Sequence, residues 1–128
     1  MSASTDTEKF RKNAMLAADK FRRGVCLKLF SAVILDTPVD TGRAAGNWNT
    51  TVGRPSERAL HPAGGRASQA DAISRITDNL GGLKDSVFLT NNVPYIAFLE
   101  YGTPKFTGFR MVQKNVSRIT TLIRGRMK

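Results

Sequence analysis

The chain has 128 residues, 41% of them hydrophobic, which suits one domain, 1–128, with a modest core. No apolar run approaches the length of a membrane span, the polar and partly acidic start does not read as a secretory signal, and a lone Cys26 excludes an internal disulfide or a cysteine zinc site. Twenty Lys and Arg against ten Asp and Glu give +10, a balance that predicts a polyanion nearby, either nucleic acid or an acidic protein face.

Residues 1–6 read as a polar tail and 7–35 as one long amphipathic helix. Phe10, Ala14, Ala17, Phe21, Val25, Leu29 and Ala32 recur at spacings of three and four and therefore share a face. Thr5 or Thr7 can cap its start, and Asp6 and Glu8 suit its positive end. Gly24 is a weak spot costing about 1 kcal/mol relative to Ala. Cys26, with no histidine near it, reads as a small helix residue and not as a reactive thiol. The helix has to end near Asp36, because Pro38 disfavours helical geometry at Thr37. In Thr37-Pro38-Val39-Asp40-Thr41-Gly42-Arg43 the offsets of Pro, Asp, Thr and Gly predict a tight turn bonded by its own side chains. Residues 44–52 read as a strand with Trp48 as a core anchor.

Residues 53–67 are rich in Gly, Pro, Ser and Arg and read as a long exposed loop, made basic by Arg54, Arg58 and Arg66. His61 reads as a solvated loop residue, since no carboxylate or cysteine cluster surrounds it. Ser68-Gln69-Ala70-Asp71 has the form of a capping box opening a second helix, with Ile73, Ile76 and Leu80 inward and Gly81-Gly82 as its stop. Residues 85–90 read as a second strand.

The densest apolar and aromatic run follows at 91–103. Its periodicity is compatible with a helix or a strand, and Pro94 at its start with Gly102 at its end favours the helix. Glu100, between Leu99 and Tyr101, has to reach water or a cation, because an unpaired buried charge is expensive. A planar guanidinium suits such a partner, and Arg43, leaving the first turn, is the expected one, within the chain or across a subunit boundary. A loop through Lys105 and Gly108 then leads to a last helix, roughly 110–124, with Met111, Val112, Val116, Ile119, Leu122 and Ile123 inward. From 105 to 128 the chain carries Lys105, Arg110, Lys114, Arg118, Arg124, Arg126 and Lys128 and no acid. With Arg54, Arg58 and Arg66, the first six of these are the candidate residues facing DNA or a partner.

Three classes of function meet these residues differently. Catalysis is poorly served: no His, Cys or carboxylate set has metal-ligand spacing and no glycine-rich loop ends in Gly-Lys-Ser/Thr, so neither metal nor cofactor is expected. Asp36 and Asp40 read as turn formers and not as a catalytic pair. A free-standing nucleic-acid-binding protein fits the charge but lacks zinc-finger, RNP-like or helix-turn-helix patterns. A structural protein using diffuse positive charge fits both observations.

The turn Pro38-Val39-Asp40-Thr41-Gly42-Arg43, with Trp48 five residues on, stands in one chain with Asn92-Val93-Pro94-Tyr95, Leu99-Glu100-Tyr101-Gly102-Thr103 and a basic last helix. In this order and spacing, over roughly 21–127, the chain resembles the neck or tail-completion (minor tail component) proteins of long-tailed bacteriophages. Members often carry a proline-rich turn before the last helix; here that segment is Phe106-Thr107-Gly108-Phe109-Arg110-Met111. The resemblance implies an α+β domain: a long N-terminal helix and a basic C-terminal helix packed on a small antiparallel sheet, with a long basic loop. It also implies a virion protein of the head–tail junction, in the host cytoplasm during assembly. The implied partners are copies of itself in a six-fold or twelve-fold ring, head-closure or connector proteins, tail terminator or tail tube proteins, and genomic DNA in the lumen, with no membrane.

Overall fold

The computed structural model describes residues 3–60 and 64–127, and the expectation for His61 lies outside them. The elements in chain order are α1 (Ala3–Leu35), α2 (Arg43–Gly46), β1 (Asn49–Val52), α3 (Gly65–Asp78), β2 (Val87–Thr90), α4 (Ile96–Tyr101) and α5 (Met111–Met127). The architecture is α+β: a small antiparallel pair, with Asn49 opposite Thr90 and Val52 opposite Val87, set among helices. α1 packs against α3 and α5, and α3 packs in turn against α2 and β1.

Several boundaries differ from the sequence reading. Residues 3–6 continue α1, since nothing between Ala3 and Thr7 breaks a helix and Asp6 suits its first turn. Residues 44–46 form a helical turn and not a strand. Gly42, at φ 84°, reverses the chain so that Gly46 N–H reaches Gly42 O, and the small Ala44, Ala45 and Gly46 bury that turn against α3. A Cβ on Gly42 would collide with the backbone of Gly65. α3 begins at Gly65, inside the expected loop, so Ser68 lies within the helix; its Oγ accepts Gly64 N–H at 2.6 Å. Asp85 lies outside β2 and accepts Gly82 N–H, closing the turn before the strand.

The core gathers Val33 and Ile34 from α1, Trp48, then Ala72, Ile76 and Leu80 from and after α3, and Met111 at the start of α5. The Trp48 indole donates to Thr37 Oγ1 at 2.8 Å, and that hydroxyl donates to Val33 O at 2.7 Å, so the expected anchor is tied to the end of α1. This places the core at the C-terminal end of α1. A 33-residue helix is about 50 Å long, whereas α3 and α5, at 14 and 17 residues, span about 21 and 25 Å. Neither α3 nor α5 is long enough to cover all of α1, whose residues 5–18 are exposed. The apolar stripe predicted from Phe10 is covered only from Val25 onward: Phe10 is 75% exposed and Phe21 is exposed. On α5, likewise, Met111 is buried while Val112, Val116 and Leu122 are exposed.

Candidate functional site

The turn at 37–43 and the aromatic stretch at 91–103 meet through the segment between β2 and α5. Tyr95 precedes α4, and the Arg43 guanidinium lies over its ring, 5.6 Å from the centroid. Asn91 donates to Ala44 O at 2.7 Å, a second link between the first turn and the aromatic stretch. Pro38, Asp40 and Thr41 shape that turn, with Thr41 Oγ1 accepting Arg43 N–H. Pro94 lies two residues before α4 instead of at its first helical position.

Glu100 is only 7% exposed, as expected of that stretch, but its partner is not Arg43. Its Oε1 accepts Val112 N–H at 2.9 Å and its Oε2 accepts Gln113 N–H at 3.0 Å, so the carboxylate caps the first turn of α5. The first amides of a helix lack intrahelical partners and carry the positive end of its dipole, which stabilises an anion there as a cation would. The geometry is set by the preceding reversal. Gly102, at φ 86° and ψ −169°, occupies a region essentially reserved for glycine. Thr103 and Phe106 then bridge, Gly108 turns at φ 89°, Phe109 N–H bonds Leu99 O and Arg110 N–H bonds Glu100 O. Arg110, at φ 53°, is the only non-glycine residue at positive φ among those described, and it is the last residue before α5. The segment that stands where a proline-rich turn was expected thus folds back along the end of α4 and delivers two amides to Glu100.

This reversal also presents an aromatic knuckle. Phe106 and Phe109 meet edge to face at 5.2 Å, Arg110 lies 5.9 Å over the Tyr101 ring, and Phe98 and Tyr101 are exposed. Exposed aromatic side chains beside arginine are the composition of a contact surface.

The nine basic candidates do not form one patch. Lys105 and Arg110 stand at the knuckle, Arg54 and Arg58 are exposed in the connection after β1, and Arg66, expected in that loop, is exposed in the first turn of α3. Lys114 and Arg118 flank Asp36, at 3.7 and 3.8 Å from Oδ2, which also accepts Asn115 Nδ2 at 2.8 Å. Arg124 is exposed, and Arg126 lines a cleft between α1 and α5. Asp36, read as a turn former, therefore also ties the end of α1 to α5.

Other functional contacts left weaker marks in the sequence. Asn92 Nδ2 donates to Ser56 O and Arg58 O, and Asn47 Oδ1 accepts Leu60 N–H, so the basic connection is pinned on both sides as far as residue 60. Arg75 Nη2 donates to Gly46 O and Trp48 O, both at 2.8 Å, and burial pulls its guanidinium below the usual arginine range, with Asp71 opposing. Burial pushes the Cys26 thiol up, with Arg22 opposing, which disfavours the nucleophilic thiolate. Among the described residues no group of three or more His, Cys, Asp or Glu could hold a metal ion, and no helix is long and apolar enough to cross a membrane.

Searches of protein-family models, curated proteins and solved structures find nothing that matches this chain.

Proposed function

We propose that this chain is a structural subunit of the head–tail junction of a long-tailed bacteriophage, a neck or tail-completion protein. It joins the capsid connector to the tail as a ring around the DNA passage and performs no catalysis. The reading rests on the resemblance of its two motifs and is supported by one structural observation, the amount of surface the isolated chain leaves uncovered. Its accessible surface is 8708 Å² for 14.0 kDa. A folded monomer of that mass exposes about 6700 Å². The excess, about 2000 Å², is of the order that two standard interfaces cover on one subunit, at about 800 Å² each. Phe10, Leu16, Phe21, Phe98, Tyr101 and Leu122 are among the large apolar side chains exposed on that surface.

The charge fits the same role. A conduit has to hold packaged DNA without gripping it, and dispersed Lys and Arg, some already satisfied by Asp36, provide attraction without base reading. Sedimentation of the purified protein over a broad concentration range, alongside duplex binding at several salt concentrations, tests the proposal. It predicts concentration-dependent conversion to a closed oligomer and weak DNA binding by the monomer. A protein that stays monomeric and binds duplex DNA tightly, with a steep salt slope, would instead be a free-standing nucleic-acid-binding protein.

A further inference from the structure

The cleft between α1 and α5 has a volume of about 480 Å³, and its lining combines apolar side chains, Phe21 and Leu122 among them, with Lys20, Lys28 and Arg126. None of the lining residues is acidic, and among the described residues none of the three cations takes part in an ion pair. The nearest acid along α1, Asp19, is held by Arg22 at 3.2 Å. Lys20, Gly24 and Lys28 stand four residues apart on α1 and so form one row about 12 Å long, a gap between two charges.

Gly24 is a second, independent sign. Glycine inside a helix weakens it, and its use there is to let another group come close to the backbone. This chain supplies no such group: among the described residues, a Cβ on Gly24 would meet nothing within 4 Å. The space left open at Gly24 belongs to the cleft.

We infer that the cleft takes an amphipathic helix of a different protein, one whose apolar stripe is flanked by acidic side chains. The stripe crosses α1 at Gly24, where the missing side chain lets the two backbones approach, and the carboxylates face Lys20, Lys28 and Arg126. A second copy of this chain is a poor occupant. α1 and α5 are net basic, α3 has two acids against two bases, and Glu100 of α4 is committed to the amides of α5. The inference rests on the subunit reading for the presence of a neighbouring protein, but the contact is separate from the ring.

The test is fluorescence anisotropy of the full chain with three labelled peptides of about 18 residues: one with leucines at helical spacing flanked by Glu, one with Lys in place of every Glu, and one that scrambles the first. The first should bind about tenfold more tightly than either of the others. Gly24→Leu fills the gap, so it should weaken binding of the Glu peptide about tenfold while melting no lower than wild type, because no neighbour is displaced. Lys20→Glu combined with Lys28→Glu should reverse the preference, whereas the equal charge change of Lys9→Glu with Lys12→Glu, outside the cleft, should not. Equal binding of the Glu and Lys peptides, or undiminished binding by Gly24→Leu, would overturn the site and leave the ring standing. Loss of self-association in Gly24→Leu, with no peptide bound by wild type, would assign the cleft to a second copy and overturn it equally. A wild-type chain that stays monomeric at every concentration yet prefers the Glu peptide would remove the ring and support the site.

Discussion

Replacing Glu100 with Ala is the sharpest probe of how the aromatic stretch is built into the fold. The substitution removes two charge-assisted hydrogen bonds, to Val112 and Gln113 N–H, and the anion at the positive end of α5. Hydrogen bonds to charged groups contribute about 1.5–3 kcal/mol each and loss of a helix cap costs about 1 kcal/mol. These overlap, and water can reach the freed amides beside the exposed Val112, so the expected loss is about 3 kcal/mol rather than the full sum. For a chain of this size that corresponds to a fall in Tm of about 10 °C. Glu100→Gln keeps the shape but has one acceptor oxygen, and should lose about half as much. Urea denaturation followed by circular dichroism measures both. A Glu100→Ala protein within about 0.5 kcal/mol of wild type would refute the capping role. The double-mutant cycle with Arg43→Ala separates this account from an Arg43–Glu100 ion pair: coupling below about 0.5 kcal/mol is expected, because Arg43 lies over Tyr95 instead.

Thr37→Val leaves the Trp48 indole N–H without its buried acceptor and should cost about 1–3 kcal/mol, read from the fluorescence of this sole tryptophan during urea unfolding. Gly102→Ala forces a side chain into a glycine-only backbone region and against Phe106 O, and should destabilise by about 1–3 kcal/mol or more in the same assay. Asn92→Ala releases the connection at Ser56 and Arg58; trypsin should then cut after Arg58 faster, while global stability changes by less than about 1 kcal/mol. Burial raises the Cys26 pKa, so the thiol stays protonated at neutral pH and should react with a thiol reagent more slowly than free cysteine until alkaline pH or denaturant is applied; a faster reaction would contradict its placement.

Long-range helical periodicity made α1 and α5 legible, and the Pro94 and Gly102 punctuation made α4 legible, because these signals are local. Residues 44–46 were not, since the small Ala44, Ala45 and Gly46 read equally as strand or turn until α3 is packed against them. The need of Glu100 for positive charge was legible, but the identity of its partner was not. Backbone amides donate from every residue and leave no mark in a side-chain pattern, whereas an arginine draws the eye. The same holds for Arg75, whose acceptors are the carbonyls of Gly46 and Trp48, and for Asn47 and Asn92, whose partners are main chain. Periodicity also could not say how much of the stripe from Phe10 to Ala32 is covered. That depends on the lengths of the helices packed beside it.

The most direct test of the proposed junction role is electron microscopy of any tailed particles that the genome carrying this sequence yields, labelled with antibody against the chain or a tag fused to it. The account predicts label confined to the junction of head and tail. Particles complete with tails and free of the chain would contradict it.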